Sequence, residues 1–319
     1  MTNSGMGDMR PNKNQRREAA RDKARQLRVE QKKKDRRNKF ILQGSLIVVT
    51  LAIVAAIAIV IYSTIKPPAP GPLNMLSDGI KIGEGFKAVQ TTALKPSQEP
   101  VPSSSNIPSD VLDIRVYVDY LCPVCGAFEA ANADQIKTLV EDGAATLEIH
   151  PIAILDRLSM GTRYSSRASN AAACVANFSP NNFFNFSAVL FENQPEENSS
   201  GLSDEQLVEF AKEVGVSKFT NVTSCIEDQT FKGWVKSATD RFQNNPIPNA
   251  STQPAEKGTP TIIVNGELYH YTTNPTTGAL DPQEFASFLV QVLGSKFTED
   301  STPSPSPSPT PSPSPSVTP

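Results

Sequence analysis

A chain of 319 residues has room for one large domain or two ordinary ones, and its net charge of −3 hides a division. Residues 1–39 hold 14 Lys/Arg against 5 Asp/Glu, while the remainder holds 16 against 28, so the two parts face different surroundings. A zinc centre on a C-x2-C pair would need two further ligands, but the other two cysteines are far away and His150 and His270 stand alone, so no metal or organic cofactor is expected.

From the N-terminus, residues 1–39 read as a basic arm. Residues 40–65, FILQGSLIVVTLAIVAAIAIVIYSTI, form an uncharged run. A membrane-spanning helix needs about 20 apolar residues, so this run is long enough. A cleaved signal peptide fits less well, because its apolar core is about 7–15 residues and its basic lead is short. Lys32, Lys33, Lys34, Arg36, Arg37 and Lys39 precede the run and Lys66 follows it. The positive-inside rule then predicts a single-pass protein of the cell membrane, with its N-terminus cytoplasmic and everything after residue 66 outside. The arm reads as a topology determinant rather than a nucleic-acid site.

Residues 66–77 read as a Pro-rich linker, 78–298 as the folded domain and 299–319 as a Ser/Pro-rich disordered tail. Inside the domain a strand is expected over Ile80–Gln90, and a buried β-branched strand over Leu112–Tyr120. A helix over Cys122–Val140 and a strand over Ala145–Leu155 follow. Residues 162–245 read as helical, with a capping box at Ser203 and Gln206 and a last helix running from Cys225 to Phe242. Strands over Thr261–Asn265 and Glu267–Tyr271 flank an Asn265-Gly266 turn, and a helix over Pro282–Leu293 closes the chain. The order βαβ, helical block, ββα predicts an α/β sheet core with a helical insertion at about residues 160–250.

The four cysteines are Cys122, Cys125, Cys174 and Cys225, an even, sparse set that suggests two pairs. Cys122-Pro123-Val124-Cys125 sits where a strand gives way to a helix. That placement puts the first sulfur at a helix N-terminus, where unpaired N–H groups and the helix dipole stabilise a thiolate. The second sulfur, one turn on, can close an intramolecular disulfide and expel a bound substrate. Pro123 suits the first helical turn, since its missing N–H would be unpaired there. The aromatic cluster Phe178, Phe183, Phe184, Phe186 and Phe191 reads as core before it reads as a substrate groove.

VYVDYLCPVCGAFE, followed by a helical block and then GTPTIIVNG, resembles the DsbA-like branch of the thioredoxin superfamily in its actinobacterial membrane-anchored form. The resemblance implies a thioredoxin fold, a central mixed sheet flanked by helices, with an inserted helical subdomain. It implies a protein-disulfide oxidoreductase with Cys122 and Cys125 as its catalytic pair and Pro123, Val124, Thr259 and Pro260 supporting site and substrate. Thr259-Pro260 is expected to be cis, with the Thr259 hydroxyl a candidate donor to the Cys122 sulfur. Cys174 and Cys225 are expected to form a structural bridge, a second reactive dithiol being the alternative. The implied partners are reduced or unfolded secreted proteins and a membrane redox partner, either a quinone-linked reoxidase or an electron carrier.

The sequence departs from that pattern at two places. Val124 stands where DsbA proper has His, and Val116 stands where thioredoxin-type members carry a buried acid. Asp119 and Glu129 flank the motif and read as surface carboxylates, with proton transfer at the dithiol as the alternative. Oxidation of secreted proteins is the leading expectation, with a reductase for cytochrome maturation and a non-enzymatic binding module as alternatives.

Overall fold

The computed structural model describes residues 13–64, 69–103, 108 and 110–300. The chain divides into two compact units, residues 1–67 and 68–319. In the first, α1 (Lys13–Thr64) continues from the basic arm through the apolar run. Many side chains of that run lie outside the described residues. Among the described residues no helix is long and apolar enough to cross a membrane. Residue 65 of the expected span, 66–68 of the expected linker and 301–319 of the expected tail lie outside the described residues.

The second unit is built on a six-stranded mixed sheet. Its strands are β1 (Ile80–Gly83), β2 (Lys87–Ala88), β3 (Leu112–Val118), β4 (Ala145–Pro151), β5 (Thr261–Val264) and β6 (Glu267–Leu268), in the spatial order β2-β1-β4-β3-β5-β6. β3 and β4 are parallel, with Val116 opposite Ile149, and every other pairing is antiparallel. α2 (Pro123–Glu141) makes the crossover between the parallel pair.

β3 is buried along its whole length because both faces of the sheet are covered. Leu112, Ile114, Val116 and Val118 join the larger core beneath α2 and the helical insertion. Tyr117 joins a smaller cluster with Ile152, Phe242, Ile247 and Ile263. Asp113 and Arg115 alternate with these apolar positions and are buried in an ionic layer: Lys81 lies 2.9 Å from Asp113, and Arg115 lies 3.3 Å from Glu148. Glu148 also accepts hydrogen bonds from Ser77 and Ser103. Burial would raise the Glu148 carboxyl, yet His150, Arg115 and Ser77 together hold it well below the usual range.

The insertion holds α3 (Tyr164–Phe178), α4 (Phe183–Glu192), α5 (Asp204–Glu213), α6 (Phe219–Glu227) and α7 (Lys232–Asn244). The Ser203–Gln206 capping box is present. A Cys174–Cys225 disulfide joins α3 to α6. α8 (Pro282–Asp300) lies beyond β6.

Several boundaries differ from the sequence expectation. The strand expected over Ile80–Gln90 folds back on itself as β1 and β2 around Gly85, whose φ of 62° suits glycine. The helix expected from Cys225 to Phe242 is two helices, because Gln229, at φ 48°, breaks the run. β6 stops at Leu268, and α8 continues past Leu293. Packing also begins before residue 78. Met75 is fully buried, and the backbone N–H groups of Gly71 and Asn74 donate to Leu94 and Thr91.

Candidate active site: the Cys122–Cys125 dithiol

β3 delivers the chain into the turn Asp119-Tyr120-Leu121, whose closing bond runs from the Cys122 N–H to the Asp119 carbonyl at 2.9 Å. Cys122 is the N-cap of α2, and Pro123 occupies the first turn. The α2 N–H groups left without an intrahelical partner therefore face the Cys122 sulfur. Cys122 and Cys125 are both free thiols and both buried.

The two sulfurs sit in unlike environments. Cys122 is lowered from 9.0 to about 7, chiefly by the Cys125 thiol donating to it and then by Thr259 and the N–H groups of Cys125 and Val124, against the opposing effect of burial. Cys125 is raised well above the ordinary thiol value, first by burial and then by its neighbour. One sulfur is thus poised as a thiolate near neutral pH while the other keeps its proton.

Thr259 meets Cys122 in two ways: its side chain helps to lower the thiol, as the sequence reading allowed, and its main chain lies against the sulfur. The close contact is through its main chain, with Cys122 Sγ 3.1 Å from the Thr259 carbonyl oxygen. The Thr259-Pro260 peptide is cis, and Tyr271 donates to the Pro260 carbonyl at 3.4 Å. Pro123 is exposed and Val124 half-buried, at one end of an open groove of about 530 Å³. Ala127, Ala131, Thr273 and Leu280 line its length.

Neither acid near the motif behaves as a surface carboxylate. Asp119 is fully buried and accepts from the N–H groups of Leu121, Ile154 and Leu155 at 2.9, 2.9 and 3.0 Å, so it ties the end of β3 to the loop after β4. Burial pushes it up to about 6. Glu129 is mostly enclosed, and burial, with the nearby Glu192 charge, pushes it up to about 7. It shares a cavity of about 20 Å³ with Cys125, Phe128, Val116 and Phe191, room for roughly one water. Val116 and Glu129 thus face the same small space beside the inner sulfur. The aromatic cluster is core: Phe183 and Phe186 have no exposed surface, Phe184 and Phe191 are buried, and Phe178 packs at its edge.

Sequence reasoning missed Gln194. Its side-chain N–H groups donate to the Tyr120 and Cys122 carbonyls at 3.1 and 2.9 Å. It lies 72 residues beyond Cys122, and no local pattern marks it.

The family described as thioredoxin matches residues 111–281, more than half of the chain. The serine/threonine-protein kinase PknE of Mycobacterium tuberculosis is 32% identical over 146 residues, which is 44% of this chain and 25% of the kinase. The chain therefore spans about a quarter of the curated relatives it matches. Among solved structures, DsbA from Mycobacterium tuberculosis is 26% identical with a TM-score of 0.49, covering 70% of this chain and 98% of that one. MdbA, a thiol-disulfide oxidoreductase from Actinomyces oris, is 23% identical with a TM-score of 0.45, covering 57% and 81%. With a strand-turn-helix dithiol, a Thr-Pro loop against the outer sulfur and a family match over residues 111–281, this chain belongs to the thioredoxin family.

Proposed function

We propose that the chain is a membrane-anchored thiol–disulfide oxidoreductase acting outside the cytoplasm, with Cys122 as nucleophile and Cys125 as resolving thiol. The observation that carries this reading is the placement of the pair: Cys122 caps the N-terminus of α2 against the Thr259 carbonyl and Cys125 lies buried one turn in, an arrangement that lowers the first thiol and raises the second. In the oxidised protein a client thiolate attacks the Cys122 sulfur. The Cys122–Cys125 bond breaks, a client–Cys122 bond forms, and the electron pair leaves on Cys125, which takes a proton. A second client thiolate then displaces Cys122, leaving an oxidised client and a dithiol enzyme. A membrane redox partner, quinone-linked or an electron carrier, resets the pair.

A place outside the cytoplasm is supported by the Cys174–Cys225 disulfide, since such bridges persist where the surroundings are oxidising. The reducing direction is supported by the modest fall at Cys122. A strong oxidant owes its potential to a highly stabilised thiolate, with a pKa near 3.5 in DsbA against about 7 in thioredoxin. Anchoring rests on the uncharged run at residues 40–65 and the basic flank before it.

Two measurements test this. Cys122→Ser is expected to abolish both insulin reduction and refolding of reduced ribonuclease; retention of both would sink the enzymatic reading. The potential of the wild-type pair against glutathione then fixes the direction. A value near −270 mV would rule out the oxidase, and one near −120 mV would rule out the reductase.

A further inference from the structure

The geometry points to Gln194 as a positioning residue through which the helical insertion fixes the turn beneath Cys122 and aims the N-terminus of α2 at its sulfur. The inference rests on the reading of Cys122 as nucleophile. Four observations carry it.

The first is the pair of hydrogen bonds from one amide nitrogen to the carbonyls of Tyr120 and Cys122, residues i and i+2 of the turn between β3 and α2. The second is that the Cys122 carbonyl also accepts the first helical bond of α2, from the Gly126 N–H at 3.1 Å. A carbonyl has two lone pairs, so both are now used, one by the helix and one by Gln194. The third is the origin of Gln194. Tyr120 donates its hydroxyl to Ser187 Oγ at 3.2 Å, and its ring centroid lies 5.0 Å from that of Phe191. Ser187, Phe191 and Gln194 stand at i, i+4 and i+7, so a single stripe of α4 and its C-terminal turn grips the turn before the dithiol.

The fourth observation is Gly126. A Cβ added there would come 2.3 Å from Gln194 Oε1 and 3.1 Å from Gln194 Cδ. The missing side chain is the space that the amide occupies. Gly126 has no positive φ to justify glycine, and alanine is the better residue inside a helix. A methyl group at this position would therefore push the Gln194 amide, the far end of a flexible side chain, off its present place.

The consequence for reactivity follows from direction. The N–H groups of Val124 and Cys125 help to lower Cys122, and a hydrogen bond weakens steeply as its angle departs from linearity. Freeing the turn lets those N–H groups swing off the sulfur, which destabilises the thiolate and hence the reduced form.

The test uses the full chain with Gln194→Ala, Gln194→Glu, Gly126→Ala and the double variant Gln194→Ala/Gly126→Ala. The readouts are the pH midpoint of Cys122 alkylation and the equilibrium with glutathione. Gln194→Ala is expected to slow alkylation at pH 7 by about threefold or more and to shift the glutathione equilibrium toward the oxidised protein by a similar factor. Gln194→Glu, which cannot donate once ionised, should match it at pH 8 and recover toward wild type as the carboxyl regains its proton. Gly126→Ala should reproduce the loss in the wild type and add nothing in the Gln194→Ala background.

Unchanged midpoint and equilibrium in Gln194→Ala, with only a lower melting temperature, would overturn the inference. Additive effects of the two single substitutions would overturn it as well. If Gln194→Ala does not fold, Gly126→Ala and Gln194→Glu carry the same decision. A wild-type activity that survives Cys122→Ser would instead remove the underlying reading, so the two failures are distinguishable.

Discussion

At the scale of single residues, the most informative side chains are those whose charge the fold disfavours. Glu129 sits beside Cys125 and is pushed from 4.5 up to about 7 by burial and by Glu192. A carboxyl whose folded value lies above its unfolded one holds more protons in the native state across that interval. Stability therefore falls as pH rises from about 4.5 to about 7. Glu129→Gln removes this cost. It is expected to stabilise the domain at pH 8 by about 1–3 kcal/mol and to leave it nearly unchanged at pH 4.5. Urea unfolding at the two pH values measures the difference, and equal effects at both would show that the carboxyl is not the source. Glu148 has the opposite sign. Its contribution is present above the ordinary glutamate range and is lost as pH falls below it. The Glu129 environment was not legible in the sequence, because GAFEAA does not disclose that α2 packs against α4.

At the scale of elements, the insertion is held by a cross-link closing a 51-residue separation between α3 and α6. In the chain-entropy picture a loop of that length contributes about 4 kcal/mol at most. Replacing both Cys174 and Cys225 by Ala is expected to lower stability by about 2–4 kcal/mol while the Cys122 alkylation midpoint stays in place. A shift of that midpoint in the double-alanine variant would mean that the pair communicates with the dithiol. Element types were largely readable from the chain. LDIRVYV alternates as a strand buried on both faces must, and Ser203 with Gln206 announced the start of α5. What escaped were breaks set by backbone conformation, such as Gln229 between α6 and α7 and the Gly85 fold-back between β1 and β2. Contacts between distant segments escaped too. The dithiol could be recognised from its local spacing, whereas Gln194, Tyr271 and the wall around Glu129 reach it only through tertiary packing.

At the scale of the whole molecule, the chain divides into two compact units, residues 1–67 and 68–319. A protein lacking residues 1–67 is expected to be released from membranes and to retain the dithiol chemistry, while the full chain stays with the membrane after alkaline carbonate extraction. Recovery of the full chain in the carbonate supernatant would refute the anchor. The buried ionic layer and the apolar core occupy opposite faces of one sheet, so β3 contributes Asp113 and Arg115 to one face and Val116 and Val118 to the other. Residue alternation thus lets seven consecutive buried positions serve two unlike interiors.

The pairing of β3 with β5 sets a timetable for synthesis. Val116 lies opposite Ile262, and Cys122 leans on the carbonyl of Thr259, 137 residues later. Synthesis runs from the N-terminus, so the thiol emerges long before the loop that shelters it. Until residue 259 emerges, a growing chain carries an unguarded Cys122 and a β3 whose second edge is open, alongside the two cysteines of its own insertion. The fold places a late-made segment against the outer sulfur of the dithiol, and the interval between them is when wrong pairings can form.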